Sequence, residues 1–250
     1  MRALITALQF LTRIHIFRQQ EVLPEDFGRS VKFFPLVGAV IGAILAAAYY
    51  LADSHFPIHL LAAILIVGEI LLTGGLHCDG LMDTMDGVFS VRSRERMLEI
   101  MKDSRVGANG VMAFGVFLLL KWSLLLDLLP VTAGPALFVM PVASRLAMVI
   151  AITAFPYARP EGIGKAFAQY SGRYSLLFAV VTALLFVLPL GITAGVSLAA
   201  VVLFSLAFCR RMTKTLGGLT GDVYGALTEI SGLVVLAVFL LAREWGLFWF

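Results

Sequence analysis

Seven stretches of this 250-residue chain are apolar enough to cross a lipid bilayer as helices, with polar segments between them. They fall at about 33–51, 58–76, 111–129, 137–155, 175–190, 192–208 and 227–241. A spanning helix needs about 20 mostly apolar residues. Pro189 and Gly191 divide the fifth stretch from the sixth. Ahead of the first, residues 1–17 are apolar but interrupted by Arg2, Arg13 and His15, a pattern for a helix lying in the membrane interface. The expected fold is therefore all-α: a polytopic integral membrane helix bundle of about seven transmembrane helices plus interfacial amphipathic helices. It forms one domain over 1–250, because neither a repeat nor a low-complexity linker divides it.

Composition agrees. Hydrophobic residues make up 60% of the chain and charged residues 14%, against about 25% charged in soluble domains. That excludes a soluble globular enzyme and a disordered protein. The net charge of +3 gives no reason to expect nucleic acid as a partner; the partner is the lipid bilayer. Cys78 and Cys209 stand far apart and form neither a disulfide framework nor a paired-cysteine zinc pattern. No removable signal peptide is expected at the N-terminus.

The basic residues predict orientation. Sixteen of the 19 lie before the first stretch or in alternate loops: 92–105, 159–173 and 210–214. Arg243 alone falls on the other side, and Lys121 and Arg145 lie within stretches. Positive charge favours the cytoplasm, so the N-terminus and the long loops are expected there. The expected location is the cell (inner) membrane, multi-pass, with any active site facing the cytoplasm.

Three polar segments carry the chemistry. In 74–87, GGLHCDGLMDTMDG, the carboxylates Asp79, Asp83 and Asp86 are spaced i, i+4, i+7 and share one helix face. No Lys or Arg in that segment offsets them. Such hard oxygen donors suit Mg²⁺, which takes its remaining ligands from phosphates and water. In 92–110 an amphipathic helix is expected, ending at Lys102, Asp103, Ser104 and Arg105, cationic and hydroxyl groups suited to a diphosphate. In 215–229 a glycine-rich run opens the last span and carries Asp222 and Glu229. Glu69, Lys121 and Arg145 lie inside spans, where each is functional or paired. His77 reads as a hydrogen-bonding neighbour of the acidic cluster.

Together these features suit displacement at the phosphorus of a diphosphate. The segments 74–87, 95–107 and 215–222, with Gly225, Ala226 and Glu229, resemble the signatures of the cobalamin synthase family, the adenosylcobinamide-GDP ribazoletransferases. Phe10-Leu11-Thr12-Arg13 and the overall length agree. The resemblance implies a Mg²⁺-dependent phosphotransferase. A hydroxyl of α-ribazole or its 5′-phosphate would attack the cobinamide-side phosphorus of adenosylcobinamide-GDP and release GMP. It implies Asp79, Asp83, Asp86 and Asp222 as metal ligands, with Asp83, Asp86 and Asp222 catalytic. It implies Lys102, Asp103, Ser104 and Arg105 at the GDP diphosphate, and it admits a homo-oligomer; Lys121 and Arg145, from their place inside spans, are the further candidates for binding substrate. Asp83-Thr84-Met85-Asp86-Gly87 also resembles the start of the CDP-alcohol phosphotransferase motif, but Val88-Phe89-Ser90 departs from that family. A secondary transporter is the third alternative, disfavoured by the lack of an inverted repeat.

Overall fold

In the computed structural model, residues 2–15, 22–129 and 132–246 are described. The first helix, α1 (Arg2–Leu11), occupies the expected interfacial stretch, of which residues 1, 16 and 17 lie outside the described ones. Next, α2 (Pro24–Ser30) passes through one 3₁₀ turn into α3 (Phe34–Ala52). A bent pair follows, α4 (Ile58–Thr73) and α5 (Leu76–Phe89), then the short α6 (Arg94–Ile100). Two long helices, α7 (Ala108–Leu128) and α8 (Ala133–Ala154), lead to a second bent pair, α9 (Ile163–Tyr170) and α10 (Ser175–Val187). The chain closes with α11 (Ile192–Leu216) and α12 (Gly221–Glu244). Among the described residues the β structure is one isolated parallel bridge, Tyr157 to Leu219.

The expected all-helical membrane bundle is what the chain forms. Five helical segments are individually long and apolar enough to cross a bilayer, and the count reaches seven if each bent pair is one span. Three details differ from the sequence pattern. The stretch expected at 58–76 stops at Thr73, because Gly74 and Gly75 both adopt left-handed backbone (φ 67° and 70°). Two successive residues there suit glycine alone, and they turn α5 by 91° away from α4. The sixth stretch continues to Leu216, so Arg210, Arg211 and Lys214 ride on a helix rather than a loop. The last helix begins at Gly221, which puts Asp222 in its first turn.

Helix α8 is the axis of the bundle, every residue from 139 to 152 being buried. Its neighbour α3 approaches through Gly38 and Gly42, a small-residue pair at i, i+4. A methyl group at either would stand 2.5 Å from a carbonyl oxygen of α8, that of Pro141 or Phe138. Leucines and valines of α4, α7, α10 and α11 face outward, among them Leu71, Val116, Leu119, Leu185 and Leu203. These are the surfaces that lipid would cover.

Candidate active site

The site is built where α5 crosses the start of α12. Gly80 makes the crossing possible: a Cβ there would lie 2.7 Å from the Asp222 carbonyl oxygen. Gly225 meets the same helix from the other side, 3.2 Å from the Gly80 Cα by the same measure. With no side chain between the backbones, the carboxylates of the two helices come together. Asp83 has Asp79, Asp222 and Asp86 as like-charged neighbours and Arg159 as the opposing charge.

A second strut fixes that arginine. The segment after α8 pairs with the segment before α12: the Ala158 N–H donates to the Leu219 carbonyl (2.8 Å), and the Leu219 N–H to the Pro156 carbonyl (2.8 Å). The Thr220 hydroxyl caps α12 by accepting from the Val223 N–H (3.3 Å). It also donates to the Asp222 carboxylate (3.2 Å). Arg159 then lies 2.7 Å from the same carboxylate, its side chain 12% exposed. Among the described residues neither its Nε nor its Nη2 makes a hydrogen bond, so the approach to Asp222 is an ion pair rather than an aligned hydrogen bond. Sequence reading treated Arg159 only as a topology marker; the signal that reveals it is contact between distant segments.

Of these groups Asp79, Asp222 and Arg159 line a cavity of about 450 Å³, while Asp83 and Asp86 are not in its wall. Its polar wall holds Asp79, Asp222, Glu161, Lys102 and Arg159, and its apolar wall Phe10, Met148, Tyr157, Ile163 and Phe167. Burial raises the Tyr157 phenol above its ordinary range, so it stays protonated at working pH.

The other expected residues separate into groups. Asp86 turns away to the start of α7, where its carboxylate accepts from the N–H groups of Gly107 (2.7 Å) and Gly110 (2.8 Å). That is a cap on orphan helix donors, made by a side chain from another helix. Asp103 and Arg105 pair with each other on the surface (2.7 Å). The guanidinium holds the Asp103 carboxyl down to about 2. Ser104 is exposed beside them. Of that run, Lys102 lines the cavity.

Lys121 and Arg145 lie in a buried polar node below it. Lys121 Nζ is 2.8 Å from Glu69 and 3.6 Å from Glu229. Arg145 Nη2 is 3.4 Å from His77 Nδ1. All five side chains are buried. Two acids and two cations therefore balance within the bundle, tying together α4, α5, α7, α8 and α12. His77, which also lines the cavity, connects the node to the site.

Among the described residues, no three His, Cys, Asp or Glu side chains converge closely enough to cage a metal ion alone. Two carboxylates, Asp79 and Asp222, line the cavity and could share an Mg²⁺ ion with a substrate. That ion uses one or two carboxylates and fills its octahedron with substrate phosphates and water.

Fold and site together define a membrane-embedded protein that gathers carboxylates and cations at one cavity, the arrangement of a membrane phosphotransferase. The chain belongs to the cobalamin-5-phosphate synthase family, whose profile matches residues 3–240. It is similar to the adenosylcobinamide-GDP ribazoletransferase of Desulfitobacterium hafniense, at 45% identity over 243 residues, 94% of this chain and 95% of that protein. Proteins of the same name from Desulforamulus reducens (42%, covering 95% of this chain and 96% of the relative) and Clostridium acetobutylicum (37%, covering 92% of each) are also similar. No solved structure matches the chain.

Proposed function

We infer that the protein is an adenosylcobinamide-GDP ribazoletransferase. It transfers the adenosylcobinamide phosphate group to α-ribazole or its 5′-phosphate and releases GMP. The observation that carries this reading is the convergence of Asp79, Asp222, Lys102 and Arg159 on one cavity, in a chain similar throughout its length to proteins of that name.

The acceptor hydroxyl forms a new P–O bond at the cobinamide-side phosphorus. The bond from that phosphorus to the bridging oxygen breaks, and GMP departs with the oxygen. The hydroxyl proton passes to a carboxylate of the Asp79, Asp83 and Asp222 cluster. Lys102 and Arg159 hold the diphosphate and offset charge on the leaving group. Arg159 is already oriented by Asp222, so its guanidinium presents a fixed donor rather than a mobile one. Asp86 anchors the start of α7 against the acidic helix. Asp79 and Asp222, with Asp83 beside them, would hold Mg²⁺, which when bound would supply Lewis-acid stabilisation of phosphate charge. The basic loops set the cavity toward the cytoplasm, and the protein sits in the cell membrane.

The test is direct. Protein in nanodiscs is given adenosylcobinamide-GDP, α-ribazole phosphate and Mg²⁺. GMP is expected, and chelation of Mg²⁺ should stop its release. Turnover of a CDP-linked lipid in place of GMP release would overturn the reading.

A further inference from the structure

A second cavity, of about 650 Å³, lies on the other side of Asp79. The two cavities share Phe10, Leu76 and Asp79 as a common wall. Their cations differ: Lys102 and Arg159 face the first, Arg13 the second. A displacement at phosphorus needs two substrates on opposite sides of the reacting atom, and here two cavities flank one carboxylate.

Arg13 is held in place by the backbone around it. The Thr12 hydroxyl donates to the Leu8 carbonyl (2.6 Å) and accepts from the Ile14 N–H (3.1 Å), which shapes the end of α1. The Arg13 N–H donates to the Leu72 carbonyl (2.7 Å), docking this segment on the end of α4. The guanidinium lies flat against Gly74, where a Cβ would overlap it. Glycine at 74 thus serves both the bend and the seat of the arginine. Some cations in the polar segments have acidic partners: Arg29 with Glu25, Arg96 with Glu99, Arg159 with Asp222. Arg13 has no carboxylate partner among the described residues, although Asp79 lines the same cavity. A guanidinium seated beside Gly74, exposed at a cavity and without an acid, suits a phosphate group, to which its planar fork donates in pairs.

We propose that this second cavity binds the acceptor alcohol and that Arg13 holds a phosphate monoester on it. The assignment rests on the reaction given above and makes Arg13 the residue that recognises the phosphate of the acceptor. Asp79, in the shared wall, lies within reach of both substrates.

Binding and turnover are measured separately. Wild-type protein and Arg13→Gln, in nanodiscs of neutral lipid, are titrated with α-ribazole and with α-ribazole 5′-phosphate in the absence of donor. Wild type should bind the phosphorylated form about 10- to 100-fold more tightly, the strength of a charge-assisted contact. Arg13→Gln should erase that preference and leave affinity for the unphosphorylated form unchanged. Equal affinities in wild type, or an equal loss for both ligands in the variant, would overturn the assignment. The titration is repeated with phosphatidylglycerol in the disc. Lipid that abolishes the preference by competing would mark Arg13 as a headgroup site and also overturn it. GMP release is followed in parallel. Preference without turnover would leave the pocket standing and remove the reaction; turnover without preference would do the reverse.

Discussion

Arg159 and Asp222 meet 2.7 Å apart although one lies in the segment after α8 and the other in the first turn of α12, and the pair is framed by a two-hydrogen-bond ladder through Leu219. The ladder explains why a short irregular segment after α8 matters. It holds a cation against the first turn of α12, where the carboxylate would otherwise face Asp79 and Asp83 unopposed.

Arg159→Gln should therefore reduce kcat/KM for GMP release by about 10- to 100-fold, the loss of one charge-assisted contact. Its size-exclusion profile in detergent should match that of wild type. Unchanged kinetics would remove Arg159 from the site.

Asp83→Asn and Asp86→Asn should separate by the property they damage. Asp83→Asn is expected to abolish GMP release while the protein inserts and folds. Asp86→Asn replaces one acceptor oxygen of a cap that serves two N–H groups. It should lower stability by about 1–2 kcal/mol, seen as a lower midpoint in thermal unfolding. Normal turnover by Asp83→Asn would refute its role as a metal ligand.

The buried node gives a stability prediction. Lys121→Met leaves Glu69 and Glu229 without their shared ammonium, and losing one partner of a buried pair typically costs about 3–5 kcal/mol. Adding Glu69→Gln to that variant should recover part of the loss, because one unpaired charge is gone and Arg145 remains to oppose Glu229. A double variant less stable than Lys121→Met in thermal melts would contradict the pairing.

Gly80→Ala should act through distance alone. The added methyl would stand 2.7 Å from a main-chain oxygen of α12, which no rotamer change relieves. Overpacking of this kind costs about 1–3 kcal/mol, and pushing α12 outward should also slow turnover. An alanine variant with native activity would show that the crossing tolerates separation.

Much of this was legible in the sequence because it is local. Apolar length located the helices, and the spacing of Asp79, Asp83 and Asp86 placed them on one face. That spacing did not reveal that Asp86 would be drawn away by Gly107 and Gly110, because a cap formed across helices depends on where the next helix begins. Arg159 and Arg13 were hidden for the same reason: each acquires its place from a distant turn, at Leu219 and at Gly74. Pairing among Glu69, Lys121 and Arg145 is one reading of charges within spans, but that Lys121 also takes Glu229 is decided by packing around α8.

The corner at Gly74 and Gly75 has one more outcome, for the lipid. Helix α4 has 16 residues and so reaches only about 24 Å, whereas the hydrocarbon layer is about 30 Å thick. By length α4 falls short of that layer, and it qualifies as a span only together with α5, from which it is bent by 91°. A hydrophobic stretch shorter than the layer is accommodated by local thinning, by flanking polar side chains or by its neighbours, so the thickness of the surrounding lipid is a variable to which the depth of the acidic helix is tied.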